Sequence, residues 1–208
     1  MKKGLFVTFE GIDGCGKSTQ LKLAAETLEK NGIDCVVTRE PGGTGISEKI
    51  RELLLSPENN KMCNPCEVLL YCAARAQHVQ EIIAPAIKKG LIVLCDRFEE
   101  ATFAYQGFGR GLSLDDLERI NSFATNGIKP SLTFVFDIDV ETAAQRLMET
   151  GKAADRLEGS GREFFEKVRH GYLSLAKRFP ERIIVLAGQS TIKELSVIVC
   201  ERIMASAR

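Results

Sequence analysis

The residues with the most recognisable chemistry in this 208-residue chain form a glycine-rich loop near the N-terminus. Residues 11–18 match the pattern G-x-x-x-x-G-K-[ST], between an apolar run at residues 5–9 and a helical pattern, as the motif requires. Glycines let such a loop curl so that backbone N–H groups surround phosphate oxygens, and the following helix presents its positive end to the same anion. We therefore predict a nucleoside triphosphate site formed by Gly11, Ile12, Asp13, Gly14, Cys15, Gly16, Lys17, Ser18 and Thr19.

Two side chains of this loop add chemistry of their own. Lys17 supplies a positive charge for the outer phosphates, and the Ser18 hydroxyl is placed to bind Mg²⁺. The loop therefore predicts a nucleotide that is bound together with Mg²⁺.

Composition limits the possible partners. Lys+Arg and Asp+Glu both number 28, so the net charge is zero and no overall field attracts nucleic acid or an acidic membrane. No apolar run approaches the roughly 20 residues of a membrane span. The N-terminus enters a strand pattern directly and lacks the features of a signal peptide. We expect a single domain, residues 1–208, that lies in the cytoplasm and binds neither nucleic acid nor membrane.

The seven cysteines show no disulfide framework. Cys63 and Cys66 have ligand-like spacing, but a structural zinc site would want a second such pair and the sequence has none. Cys15 stands in an anion-binding loop at a helix N-terminus, where a thiolate is favoured, but we expect a small inert side chain that points away. The cysteines set among apolar residues are expected in the core: Cys35, Cys72, Cys95 and Cys200.

Strand and helix patterns alternate along the chain. Apolar runs predict strands at 5–9, 35–38, 91–95, 132–136 and 183–186. Helical spacing predicts helices at 18–30, 46–55, around 69–73 and at 78–88. After the third strand, helical structure is predicted up to residue 124, with an interruption at 107–111. Three more helices are predicted at 140–149, 163–178 and 192–205. Apolar strands separated by helices imply a parallel sheet covered on both faces, whose binding site lies beyond the carboxyl ends of the strands.

Arginines near those strand ends point to a second phosphate-bearing molecule. Arg39 and Arg97 follow strands, whereas Arg51 and Arg75 stand on helices. Arginine binds phosphate oxygens bidentately, and phosphoryl transfer needs cations on both the donor and the acceptor. The pattern favours a kinase over a GTPase or a motor. Taken singly, Arg51 and Arg75 would more often be solvated charges, and Tyr71 would be a core residue.

Several segments together resemble the thymidylate kinase family. They are T-F-E-G-I-D-G at 8–14, T-R-E-P-G-G-T at 38–44, D-R-F at 96–98, A-Y-Q-G at 104–107, D-R-L-E at 155–158 and F-F-E-K-V-R at 164–169. The resemblance implies an α/β, three-layer P-loop nucleoside monophosphate kinase fold with a five-stranded parallel sheet, helices on both faces and a short lid. It also implies ATP-dependent phosphorylation of dTMP to dTDP in dTTP synthesis, by a homodimer.

The resemblance also assigns roles to residues. Residues implied to bind dTMP are Glu40, Arg51, Tyr71, Arg75, Arg97, Thr102, Tyr105 and Gln106. Tyr71 would stack on thymine, Arg75 would bond the base, and Tyr105 would crowd the sugar C2′ position. The catalytic residues would be Asp13, Lys17, Arg97 and Arg156, and the metal ligands Ser18 and Asp96.

The polar segment 150–161 is expected to be the lid, because glycines flank it and it carries Lys152 and Arg156. Closing a lid excludes water and can deliver a cation to the transferring group. In this family that arginine comes from the loop or from the lid. The loop here contains no arginine, so we expect Arg156 to supply the charge, as in the bacterial-type enzymes.

The chain departs from the family pattern near the acceptor site. Phe98 replaces a commoner tyrosine, Ala101 replaces a usual serine, and Glu99 and Glu100 are expected to place two acidic groups beside the acceptor. Two alternative functions stay open: a kinase for another pyrimidine nucleotide or deoxynucleoside, and a nucleotide-binding switch without phosphotransfer.

Acidic residues after the fourth strand have two possible roles. Asp137 and Asp139 could be metal ligands, but we expect Asp139 to cap the helix at 140–149.

Overall fold

The computed structural model describes residues 4–149, 151 and 156–207. Its centre is a five-stranded sheet in the order β2-β3-β1-β4-β5, and all neighbouring strands are parallel. The strands are β1 Leu5–Glu10, β2 Cys35–Arg39, β3 Ile92–Asp96, β4 Leu132–Asp137 and β5 Ile183–Ala187. The predicted parallel sheet is confirmed.

Helices connect the strands and cover both faces of the sheet. They are α1 Lys17–Lys30, α2 Gly45–Leu55, α3 Asn64–His78, α4 Ala84–Lys88, α5 Glu99–Thr102, α6 Leu114–Thr125, α7 Val140–Glu149, α8 Arg162–Arg178 and α9 Ile192–Ser206. Within the described ranges, no helix is long and apolar enough to cross a membrane.

The three layers follow from the alternation of side chains along β1. Leu5, Val7 and Phe9 pack into the larger core, which α1, α8 and α9 complete, whereas Phe6 points to the other face. There the Phe6 ring meets the Phe98 ring edge-on, with centroids 4.8 Å apart. Because β1 is buried on both faces, the loop that follows it starts from the centre of a rigid sheet.

Two helical connections contain π-helical turns and differ from the prediction. Val79–Ile83 continues α3 directly into α4, so the predicted helix at 78–88 does not begin separately. Phe103–Gly109 continues α5, so the interruption predicted at 107–111 begins later, after Gly109, and lasts until α6 starts at Leu114. Gly107 is buried, and a Cβ there would lie 2.6 Å from the Leu114 side chain. The glycine thus permits close packing on α6.

The carboxyl ends of the central strands meet at one edge. Asp96 of β3 pairs in register with Phe9 of β1 and with Arg39 of β2. The glycine-rich loop and the polar residues after β3 are therefore neighbours, as the parallel arrangement predicts. Of the predicted lid, residues 150 and 152–155, which include Lys152, lie outside the described residues.

Candidate active site

The glycine-rich loop joins β1 to α1 in a conformation that its glycines permit. A Cβ on Gly14 would lie 2.5 Å from the backbone oxygen of Ala143 on α7, so a side chain does not fit there. Gly16 has a φ of 93° and immediately precedes α1, and a Cβ there would meet nothing within 4 Å. Gly16 therefore borders open space at the N-terminus of α1, where unpaired backbone N–H groups attract an anion.

Asp13 brings the loop lysine and a strand-end arginine together. Its Oδ1 atom lies 2.9 Å from Lys17 Nζ and 2.7 Å from Arg97 Nη2. Burial acts to raise the pKa of Asp13, but the charges of Arg97 and Lys17 outweigh it and hold this pKa well below its usual range. The carboxylate therefore stays ionised between the two cations.

Ser18 and Asp96 form a pair of oxygens that suits Mg²⁺. Ser18 Oγ donates a 2.5 Å hydrogen bond to Asp96 Oδ2. Mg²⁺ prefers hard oxygen ligands, and in phosphate-transferring enzymes it takes one or two from the protein and others from phosphate. The two residues predicted as metal ligands thus lie together beside the loop and have the right donor chemistry.

Arg97 is fixed by several contacts where β3 ends. Its backbone has a φ of 71°, which is unusual for a residue with a side chain. Nη1 donates to the hydroxyl of Tyr172 on α8 at 3.1 Å, and the guanidinium lies 4.9 Å from the centroid of the Tyr105 ring. The guanidinium also lines the cleft beside the loop. Arg97 therefore links the donor loop to that cleft.

This cleft collects every residue predicted to bind the acceptor. Those residues are Glu40, Arg51, Tyr71, Arg75, Arg97, Thr102, Tyr105 and Gln106. The remaining lining residues are Asp13, Pro41, Leu55, Phe98, Ala101 and Leu157. The lining therefore combines the cations Arg51, Arg75 and Arg97 with aromatic and amide groups.

Arg75 is buried, and most of its N–H groups donate hydrogen bonds to the protein. Nε donates to Glu40 Oε2 at 2.7 Å and Nη2 donates to the backbone oxygen of Phe98 at 2.9 Å. Nη1 donates to Thr102 Oγ1 at 2.8 Å and to Asn121 Oδ1. These bonds use four of the five N–H groups of the guanidinium. The side chain is held rigidly on the wall of the cleft.

His78 extends this network behind Glu40. Its Nδ1 atom lies 2.9 Å from Glu40 Oε1 and its Nε2 atom 2.6 Å from Thr38 Oγ1. The imidazole is completely buried, so both ring nitrogens rely on these partners. Glu40, which sits between His78 and Arg75, is therefore oriented from both sides.

Glu67 is a second buried carboxylate, at the start of α3. Gln106 Nε2 donates to its Oε1 atom at 2.9 Å, and Arg110 Nε lies 3.5 Å from the same atom. Arg156 Nη1 lies 2.6 Å from Glu67 Oε2, and Arg156 Nε donates to the backbone oxygen of Leu54 at 2.8 Å. The structure thus brings Arg156 to the α2–α3 side of the cleft and not into contact with the glycine-rich loop.

Other sequence expectations turn out differently. Arg39 is exposed and lies 2.8 Å from Glu48, so it is not part of the cleft. Burial raises the pKa of the Cys15 thiol, and Cys15 packs in the core, which fits the expected inert side chain and not a thiolate. Cys72 and Cys95 are buried as expected, whereas Cys35 and Cys200 are half-buried, and Cys63 and Cys66 are exposed free thiols.

The prediction that Glu99 and Glu100 lie beside the acceptor is also wrong. The Glu99 and Glu100 carboxylates are buried away from the cleft; Glu99 lies 3.6 Å from Lys129 Nζ, and Glu100 pairs with Arg182. Burial and the neighbouring charge of Glu100 raise the pKa of Glu99 to about 7. The pair therefore does not repel an acceptor phosphate at close range.

The aspartates after β4 have structural partners. Asp139 Oδ1 accepts the backbone N–H of Thr142 at 2.8 Å, which is the expected helix cap. Asp137 Oδ1 lies 2.6 Å from Arg169 Nε.

Sequence reasoning missed the residues that support the site from behind: Glu10, Glu67, His78, Asn121, Arg146 and Tyr172. Arg146 Nη1 lies 3.3 Å from the backbone oxygen of Gly188 and 3.5 Å from that of Gly14. A carboxylate at the end of the apolar strand β1, Glu10, was the one detectable signal. The others are single polar residues within helices, whose partners are distant in sequence.

Comparisons with known proteins identify one family. A family model described as "Thymidylate kinase" matches residues 9–197. A protein named "Thymidylate kinase" from Pelotomaculum thermopropionicum is 50% identical over 184 residues, covering 88% of this chain and 85% of that protein. Another of that name, from Caldanaerobacter subterraneus, is 50% identical over 190 residues, with 91% and 90% covered. A crystal structure of thymidylate kinase from Ehrlichia chaffeensis superposes with a TM-score of 0.79 at 32% identity, covering 96% of this chain and 98% of that chain.

Proposed function

This chain belongs to the thymidylate kinase family, and from that premise we propose how its residues carry out the phosphorylation of dTMP to dTDP by ATP. The observation that carries the proposal is the single cleft that holds every predicted acceptor residue and meets the glycine-rich loop at Asp13 and Arg97. Two phosphate-bearing molecules can meet there.

On the donor side, the loop and the N-terminus of α1 bind the ATP phosphates, and Lys17 neutralises the outer ones. Ser18 and Asp96 hold Mg²⁺, which when bound offsets negative charge on the phosphates. The support is their 2.5 Å contact next to the loop. Asp13 keeps Lys17 oriented from within the loop.

On the acceptor side, Arg97 and Arg51 bind the dTMP phosphate within the cleft. Arg97 is close to the donor loop, so it stays with the phosphoryl group as charge develops. Arg51 Nη1 donates to the backbone oxygen of Pro41 at 2.8 Å, which holds the side chain along the cleft wall.

The base lies between Tyr71 and Arg75. The N–H of Arg75 not used by its four protein partners donates to a carbonyl oxygen of thymine, and Tyr71 stacks on the ring. An arginine cannot accept a hydrogen bond, so it disfavours cytosine, which presents an amino group at that position. Thr102 and Gln106 complete the pocket, and Tyr105 excludes a 2′-hydroxyl.

Arg156 remains our candidate for the cation delivered by the lid at 150–161. In the structure it is paired with Glu67, so this role requires that the pair exchange for phosphate oxygens during the reaction. The support is the absence of an arginine from the loop itself.

An acceptor screen tests the proposal against the two alternatives. ADP formation is measured with dTMP, dUMP, UMP, CMP and thymidine. We expect the highest kcat/KM with dTMP. Turnover only with UMP or CMP would favour a different pyrimidine kinase, and no turnover with any acceptor would favour a regulatory nucleotide-binding protein.

We also propose that the chain forms a homodimer. Ile46 and Leu53 on α2, Leu69 on α3 and Phe123 on α6 are exposed. These helices pack side by side, and apolar side chains exposed on them suit a protein interface. Sedimentation at several concentrations tests this assembly. The cytoplasmic location and the single domain stay predictions.

A further inference from the structure

Arg97 needs external support because its own backbone does not favour its position. A φ of 71° costs about 1 kcal/mol or more for a residue with a Cβ. The side chain must also point into the cleft and not toward solvent. The groups that hold Arg97 therefore decide whether its guanidinium is ready for an acceptor phosphate.

Glu10 reaches both ends of Arg97. Its Oε1 atom accepts the N–H of Phe98 at 2.6 Å, which fixes the peptide group directly after Arg97. Its Oε2 atom accepts the hydroxyl of Tyr172 at 2.8 Å, and that hydroxyl accepts Arg97 Nη1 at 3.1 Å. One carboxylate thus restrains the backbone of Arg97 directly and its guanidinium through a phenol.

Burying the acidic side chain of Glu10 at this position destabilises the fold. It is completely buried at the end of the central strand, and burial together with the charge of Glu100 raises its pKa to about 8. A buried carboxyl group destabilises a fold unless its oxygens are hydrogen-bonded, and both oxygens of Glu10 bond to groups around Arg97.

We propose that Glu10 and Tyr172 are positioning residues for Arg97, which together set the direction of its guanidinium for phosphoryl transfer. This inference rests on the proposed function. Preorganised donors accelerate a reaction because they need no rearrangement as charge develops. Tyr172 lies on α8, the helix that follows the lid segment, so the clamp also ties Arg97 to that helix.

Two variants probe the clamp with minimal change of shape. Tyr172→Phe removes only the hydroxyl, and Glu10→Gln keeps the size of the side chain. We expect each to lower kcat about tenfold, the effect of losing roughly 1.4 kcal/mol of transition-state stabilisation, with KM for dTMP changed less than about twofold. Glu99→Gln is the matched control, since it alters another buried carboxylate outside the cleft, and its kcat should equal that of the wild type.

A double-mutant cycle decides whether the effect passes through Arg97. In an Arg97→Lys background, which retains a cation, the tenfold loss caused by Tyr172→Phe should fall below about twofold. An equal loss in both backgrounds, or a Tyr172→Phe variant with normal kcat, would overturn the proposal. If Glu10→Gln does not fold, the Tyr172→Phe cycle still gives the answer. Failure of the wild type to phosphorylate dTMP would instead refute the proposed function.

Discussion

The donor loop and the acceptor cleft are built in different ways. The loop takes its residues from one continuous stretch, 11–19, and its geometry follows from glycine conformation and one helix N-terminus. The cleft takes its residues from β-strand ends and from several helices, and the buried carboxylate of Glu40 holds Arg75 in its wall. The loop therefore tolerates little change within itself, whereas the cleft depends on residues far from the substrate.

The largest expected effect lies where the two regions meet. Arg97→Ala removes the cation shared by the cleft and the loop, and we expect kcat to fall by about 10³-fold or more, the scale of an arginine finger. Steady-state ADP formation at saturating ATP and dTMP measures it. A variant within tenfold of the wild type would show that transfer does not depend on this contact.

Arg156→Ala tests whether Arg156 acts on the transferring phosphate or only through its ion pair with Glu67, because the two roles change different kinetic constants, kcat and KM for dTMP. If Arg156 acts on the transferring phosphate, kcat falls by roughly 10³-fold and dTMP binding is barely affected. If it acts only through its ion pair with Glu67, KM for dTMP rises and kcat is nearly unchanged. Initial rates over a matrix of both substrate concentrations distinguish the outcomes, and near-normal turnover contradicts the catalytic role.

Thr102→Val tests whether the wall of the cleft orients Arg75. The change keeps the shape but removes the oxygen that accepts Arg75 Nη1. The lost bond is internal to the protein, so it changes dTMP binding only through the orientation of Arg75; we expect KM for dTMP to rise about tenfold, or about 1.4 kcal/mol of binding free energy, with kcat within twofold. Thr125→Val is the control, because Thr125 is buried and its hydroxyl has no hydrogen-bond partner among the described residues. Equal KM values in both variants would exclude the orienting role.

The smallest effect concerns stability and not catalysis. Glu99 has a pKa raised to about 7 by burial and by Glu100, above the ordinary value of about 4.3. Folded Glu99 therefore holds a proton that the unfolded chain has lost, so the free energy of unfolding falls as pH rises from about 4.5 through 7. Between pH 5 and 8, Glu99→Gln should reduce this fall by on the order of 1 kcal/mol, as measured by urea unfolding. Parallel pH profiles for the variant and the wild type would contradict the shift.

The same difference explains what sequence could predict. The sheet and the loop were predictable because apolar runs and glycine spacing are local signals, and each depends on neighbours in the chain. The residues proposed to bind the acceptor were predicted only through the family resemblance, since Arg75 or Tyr71 alone has an ordinary explanation. Tyr172 and Asn121 were missed because each gains its role only when distant helices pack against the strand ends. Arg156 was named from the sequence as the basic residue of the lid, whereas its ion-pair partner Glu67 could not be named because that pair depends on the packing of α2 and α3.

The shared oxygen of Asp13 has one further consequence. Lys17 and Arg97 carry like charges, and bringing them together would strain the fold if nothing balanced them. Because both converge on the same carboxylate oxygen, the protein contains its own counter-ion at the junction of donor and acceptor. The arrangement of cations is therefore encoded by the chain and does not have to be assembled by the nucleotides.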